Sequence, residues 1–294
     1  MLDLTLLTKE QACDDNFILK KYEIVPMVTD FSTLLGNSVA CWWWTKSSNK
    51  EGKICCINAL KQTNYFDANV RRMGILPVLK YSVIKDRTPV SLDSARGIKQ
   101  VIYGEYPQTL VDEEYSNELE QAYINNTLLK TGKIYTNDSV SPLYSCGEFE
   151  NNNNIEYEYN KNRYIRFEAK ENRYSVLIAN QTKNIEKNKP YWIKVEPITW
   201  LVDEENDIAL SKFILFTGIK FNDSSKYNGY FEESFIKQFM DEYLSKEIEC
   251  SMYKGKLIEN KQVDIDQLFE ETIKKMNEIN EVEEVKKLTK RITI

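Results

Sequence analysis

The stretch CWWWTKSSNKEGKICCINAL, Cys41–Leu60, sets two β-rich apolar runs on either side of a polar turn. The flanks, SVACWWW and KICCINAL, combine aromatic, β-branched and cysteine side chains, and SSNKEG between them supplies turn chemistry. This is a strand–turn–strand reading. In a strand Trp42 and Trp44 share one face and Trp43 takes the other. An indole buries on the order of 200 Å² and favours strands, so most of the triplet is expected in the core. The polar segment that follows is the place to look for a contact surface.

Working outward, the N-terminal side opens with a capping box, Thr8 and Gln11, which predicts a helix to about Tyr22. Asp30 then caps a short helical turn, FSTLL, ended by Gly36. On the C-terminal side, KQTNYFDANVRR leads into the apolar strand GILPVLKYSVI, punctuated by Gly74 and Pro77. The mixed stretch KDRTPVSLDSARG, residues 85–97, reads as a linker between sequence units. Tyr115, Leu119, Ala122 and Tyr123 recur at helical spacing, with Gly132 as the stop. IEYEYNKNRYIRFEA reads as a hairpin about an NKN turn. Strands YSVLIA, YWIKVEPITWLV and IALSKFILF follow, the last two joined by DEEND. Ser234 caps a helix whose Phe235, Ile236, Phe239, Met240, Tyr243 and Leu244 make one apolar face. Residues 264–291 are charged and free of Gly and Pro, with Ile265, Leu268, Ile273, Met276, Ile279, Val282 and Val285 spaced as on an amphipathic helix. That spacing drifts from a strict heptad and favours packing in cis or helix-mediated association with a partner. The units are therefore 1–84, completing the sheet; 85–97, linker; 98–250, the main unit; and 251–294, a helical tail.

Composition limits the chemistry. The 294 residues are 42% hydrophobic and 12% aromatic, enough for a real core. A net charge of −6 argues against general nucleic-acid binding. No apolar run reaches the ~18 residues that span a bilayer, and the N-terminus lacks a secretory pattern, so no membrane association is expected. There is no histidine, which removes histidine bases, histidine metal sites and Ser-His-Asp or Cys-His catalysis. The six cysteines make no CxxC pair and are expected as reduced thiols in the cytoplasm. No cofactor motif is present. DEEND, Asp203 to Asp207, lacks the alternating ligands and glycine of a calcium loop and reads as a solvated turn. Glu113, Glu114, Glu118 and Glu120 read as an exposed acidic helix face.

Six segments together carry a resemblance. YGEYPQT (Tyr103–Thr109), PITWLV (Pro197–Val202), LSKFIL (Leu210–Leu215), the Ser234–Leu244 helix, WWWTKS (42–47) and GILPVL (74–79) resemble the motifs of a widespread bacterial domain family. That family is similar to the C-type-lectin-like fold of formylglycine-generating enzymes and of variable proteins of diversity-generating retroelements. Here the tryptophan and GILPVL elements precede YGEYPQT, as in a permuted order, and Leu76 stands where the family usually has arginine. The resemblance implies an α+β fold: a mixed, mostly antiparallel sheet with flanking helices, plus the C-terminal amphipathic helix. It also implies ligand contacts between the tryptophans and the GILPVL strand, from Lys46 to Arg72. Trp44, Lys46, Asn64, Tyr65, Asn69, Arg71 and Arg72 are the candidate binding residues, since Tyr, Asn and Arg suit adaptable surfaces. The expected function is non-enzymatic binding of a protein or glycan partner, in a bacterium or phage. Two other functions are open: an oxidative enzyme of the formylglycine-generating class, and a phage-encoded inhibitor or structural component. Adjacent Cys55 and Cys56 point to opposite strand faces and fit a structural pair better than a copper site.

Overall fold

A computed structural model describes residues 2–35, 42–71, 73–88, 90–93, 96–135, 154–169, 172–178, 181–245 and 248. Arg72 and the 264–291 segment lie outside these residues. So do Gly36, Cys41, Cys146 and Cys250.

Among the described residues the fold is mixed α+β, with mostly antiparallel sheets and few, short helices. Its centre is the 14-residue strand Pro190–Asp203. One of its edges pairs with Asn162–Glu168 and, further along, with Ile208–Ser211; the other edge pairs with Ile98–Leu110. Asn154–Tyr159, Leu129–Tyr135, Val78–Lys80 and Val90–Asp93 complete an eight-stranded antiparallel sheet. A five-stranded sheet runs Phe216–Ile219, Met73–Ile75, Trp43–Ser48, Ile54–Ile57, Thr63–Phe66.

The strands of residues 36–84 therefore do not all join the large sheet, as the sequence suggests. The chain changes sheets at Leu76–Pro77, and its neighbour changes at Leu215, where Leu215 N–H donates to Ile75 O at 3.1 Å and Ser211 N–H to Pro77 O at 3.0 Å. Pro77 has no N–H to continue a ladder. At Gly74 a Cβ would lie 2.5 Å from Ile214 Cγ2, so the crossing needs glycine's missing side chain.

Local signals set the turns and caps. The Thr8–Gln11 capping box is present, but the helix stops at Cys13 and restarts as Ile18–Lys21. Asp14 accepts from Asn16 N–H at 2.9 Å, a side-chain turn that competes with helix continuation. The NKN turn has Asn160 at φ 51 and Lys161 at φ 61, the left-handed pair that matches strand twist in a two-residue hairpin. The helix carrying Tyr115 ends at Ile124 rather than running to Gly132. Asn126 at φ 54 terminates it, and residues 129–135 are strand. The stretch read as a linker holds an edge strand, Val90–Asp93, folded back on Ile98–Val101. Ser234 caps its helix as expected, and all six residues of the apolar face are buried.

The DEEND turn is more than solvated loop. Asp207 accepts from Ser82 N–H and Ser82 Oγ, both at 2.7 Å, and so caps the Tyr81–Ile84 helix from a distant turn. The Ser82 hydroxyl bond, then the backbone bond, hold the Asp207 carboxyl below its ordinary 3.8. A depressed folded value means the stabilisation is complete above the ordinary pKa and is lost as pH falls through the lowered one. Asp207→Asn is expected to flatten the acid limb of stability below about pH 4, by a small amount because solvent screens this exposed carboxylate. Urea midpoints from pH 2 to 6 check it; an unchanged acid limb would remove Asp207 as a contributor.

YGEYPQT lies on Ile98–Leu110 and ties the layers together. Tyr103 and Tyr106 are buried in the main core, and Trp200 Nε1 donates to Tyr103 O at 2.8 Å. Gln108 Nε2 donates to the carbonyls of Glu196 and Pro197. Gly104 sits at φ +70 with Ile248 packed against it. These motif residues are structural.

Candidate functional surface

The tryptophans alternate as the strand period requires. Trp44 belongs to the main core, with Trp42 packed partly buried against it, whereas Trp43 belongs to a second core with Leu7, Ile57 and Leu76. Trp44 is 0% exposed, its Nε1 donates to Ile219 O at 2.9 Å, and its ring meets Phe221 edge-on at 5.7 Å. It therefore presents nothing to a ligand, and its place among the binding candidates is corrected: burial of the indole outweighs its use as a platform.

The remaining candidates divide. Lys46 is half-buried; its N–H donates to Leu7 O and its ammonium lies 5.9 Å from the Phe231 ring. Asn64 and Tyr65 are adjacent on Thr63–Phe66, an edge strand of the small sheet, so they take opposite faces. Asn64 is exposed, and its Oδ1 accepts from Tyr65 N–H at 2.8 Å. Tyr65 is half-buried, its hydroxyl accepting from Lys9 Nζ at 3.1 Å. Asn69 and Arg71 are exposed in the loop beyond this strand.

The fold brings the loop of Asn69 and Arg71 to a segment distant in sequence. Residues 222–230, NDSSKYNGY, form an exposed loop with a half-buried Asn222 and Tyr227. Its backbone is stitched to two others: Ala68 N–H donates to Ser225 O at 2.8 Å, Ala68 O accepts from Phe221 and Asn222 N–H, and Tyr227 N–H donates to Gly52 O at 2.8 Å. Gly52 allows this approach, since a Cβ there would lie 2.8 Å from Asn228 Oδ1 and 3.0 Å from Tyr227 N. The three loops are thus one surface at one end of the small sheet.

Its supports are rigid. Asn49 Oδ1 accepts from Glu51 and Lys53 N–H at 3.0 Å each, fixing the first loop. Lys53 pairs with Asp67 at 3.6 Å. Lys220, buried over the Phe235 ring at 4.4 Å, pairs with Asp223 at the start of the third loop. The Tyr227 ring packs on Phe221 at 5.8 Å and its hydroxyl donates to Tyr230 O at 2.6 Å. Burial, with Glu233 and Glu232 nearby, pushes that hydroxyl up, so it remains a donor at neutral pH. Tyr230 is 77% exposed. The compositional signal that would have found this loop is its tyrosine, serine, asparagine and glycine content, the mixture of adaptable paratopes.

The polar clusters elsewhere brace the fold. Buried Glu156 accepts from the Tyr135 hydroxyl at 2.9 Å and the Thr131 hydroxyl at 2.8 Å, and Arg163 bridges it to Glu105. Glu120 accepts from Trp192 Nε1 at 3.1 Å and from Arg166, whose guanidinium lies 4.5 Å from the Tyr123 ring. Glu118 accepts from the Tyr159 hydroxyl at 2.9 Å, while Glu113 and Glu114 are exposed. Among the described residues no group of three or more Asp, Glu or Cys side chains is placed to hold a metal, and no helix is long and apolar enough to cross a membrane. No family model, curated protein or solved structure matches this chain.

Proposed function

We propose that this chain is a non-enzymatic binding protein of bacterial or phage origin, with a C-type-lectin-like scaffold, that recognises a protein or glycan partner in the cytoplasm. The observation that carries the reading is the backbone stitching of three exposed loops, residues 49–53, 67–71 and 222–230, into one polar-aromatic surface. A surface whose backbone is already ordered loses little entropy on binding, so its side chains contribute more of their contact energy to affinity. Tyr230 and Arg71 are of the residue types that dominate such contacts, and Asn69 and Asn228 are of the type that adapts hydrogen bonds around them. The mixed charge, with Lys50 and Lys226 beside Glu51 and Asp223, favours a specific partner over a polyanion.

The test is a triple variant, Asn69→Ala, Arg71→Ala, Tyr230→Ala, against wild type. A partner captured with wild type and identified is titrated onto both proteins. Binding is expected to weaken at least about tenfold. The urea midpoint should stay near wild type, because exposed side chains contribute little to stability. Equal affinity of the folded triple variant would move the contact surface elsewhere on the molecule.

A further inference from the structure

The short helix Lys9–Cys13 covers a cluster that partner recognition leaves unused. Lys9 and Cys13 stand one turn apart and share a helix face. Lys9 Nζ donates to the Tyr65 hydroxyl at 3.1 Å, and half-buried Cys13 packs on the core cluster that contains Trp43 and Ile57. On the sheet below, Cys55 is the cross-strand partner of Tyr65, with Ile57 two residues along the same face. Cys55 is therefore bracketed by a Lys9 contact on one side and by the core that Cys13 joins on the other. Its thiol is 0% exposed and unbonded to another cysteine. Burial pushes that thiol up, and the Thr45 bond and the Lys9 charge act against the shift. Cys56 is turned to the other face, across from Asn64 and Trp44.

We propose that Cys13 and Cys55 are an oxidation site for peroxides, closing to a disulfide that fastens the first helix to the small sheet. Cys13 is the accessible partner. Its thiolate attacks one peroxide oxygen, forming an S–O bond and breaking O–O, with hydroxide leaving and taking up a proton as water. Cys55 sulfur then attacks the sulfenic sulfur; S–S forms, S–O breaks, and the Cys55 proton leaves with the departing hydroxyl as a second water. Two thiols are oxidised by two electrons and one peroxide is reduced to two waters. The shared helix face and the strand register set the two thiols on one side of the small sheet.

The full-length, pre-reduced chain is treated with a small excess of hydrogen peroxide, quenched with a thiol alkylator and digested without reductant. A Cys13–Cys55 cross-linked peptide is expected, lighter by two hydrogens than its two parts, with fragmentation between Cys55 and Cys56 assigning the link. Cys13→Ser, at a half-exposed position, is expected to remove it. In Cys55→Ala a dimedone adduct should accumulate on Cys13. A link to Cys56, a link from Cys13 to Cys41, Cys146 or Cys250, or conversion of Cys13 to sulfinic acid without any link would overturn the proposal. So would unaltered Cys13 after peroxide has oxidised the exposed Met27.

Discussion

Gly104→Ala is expected to lower the unfolding free energy by about 2–4 kcal/mol, the sum of left-handed backbone strain and overpacking. Gly104 has φ +70, a conformation that L side chains rarely adopt. A Cβ there would lie 2.4 Å from Ile248 Cγ2 and 3.1 Å from Ile248 O. The side-chain contact can be relieved by a rotamer change, but the carbonyl cannot move without the backbone. Gly97→Ala is the internal control, because Gly97 has φ +68 with nothing within 4 Å of its would-be Cβ. That variant carries the strain alone, about 1 kcal/mol. Urea unfolding of the two proteins side by side separates conformation from contact. Equal losses would mean that Ile248 does not press on the YGEYPQT strand.

Trp44→Ala is expected to destabilise by about 3–5 kcal/mol, the range for deleting a large buried aromatic. Trp44→Phe keeps much of the volume but leaves Ile219 O without its 2.9 Å donor, and is expected to lose about 1–3 kcal/mol. Neither change should alter affinity for a partner in the fraction that remains folded. The outcome that matters is the contrast with the exposed Asn69→Ala, expected within about 0.5 kcal/mol of wild type. A wild-type midpoint for Trp44→Ala would contradict its burial and return the residue to the binding candidates.

These two positions show what kind of information the sequence holds. The tryptophan alternation was readable because strand side chains repeat every two residues whatever the chain pairs with. The Thr8 capping box, the Ser234 cap and the Asn160–Lys161 turn were readable for the same reason: their bonds span three or four residues. Errors came where a local rule had a competitor. Asp14 and Asn16 offered the first helix an alternative bond, and Asn126 ended the Tyr115 helix before Gly132 could. Val90–Asp93 is half-polar and short, so only its partner strand marks it as a strand.

The contact surface divides in the same way. Asn69 and Arg71 stood out by residue type and by their position after the tryptophans, but Trp44 looked equally suitable until its indole was found donating inward to Ile219. Asn64 and Tyr65 are marked by the same residue types, yet as neighbours on one strand they face opposite sides of the sheet. The loop at residues 222–230 lies more than 150 residues from Asn69, and no periodicity connects them. Their meeting depends on the bonds of Ala68 to Phe221, Asn222 and Ser225.

From the sequence alone came the strand and cap chemistry, the buried faces and the absence of histidine chemistry. Each depends on residue identity or on spacings of two to four residues, over which backbone geometry is nearly constant. Tertiary structure alone decided the passage between the eight- and five-stranded sheets at Pro77 and Leu215, the joining of three loops into one surface, and the placing of Cys55 across from Tyr65, which Lys9 contacts. Those outcomes rest on which strands pair and in which register, a choice made by the whole core at once and left unmarked by any short segment.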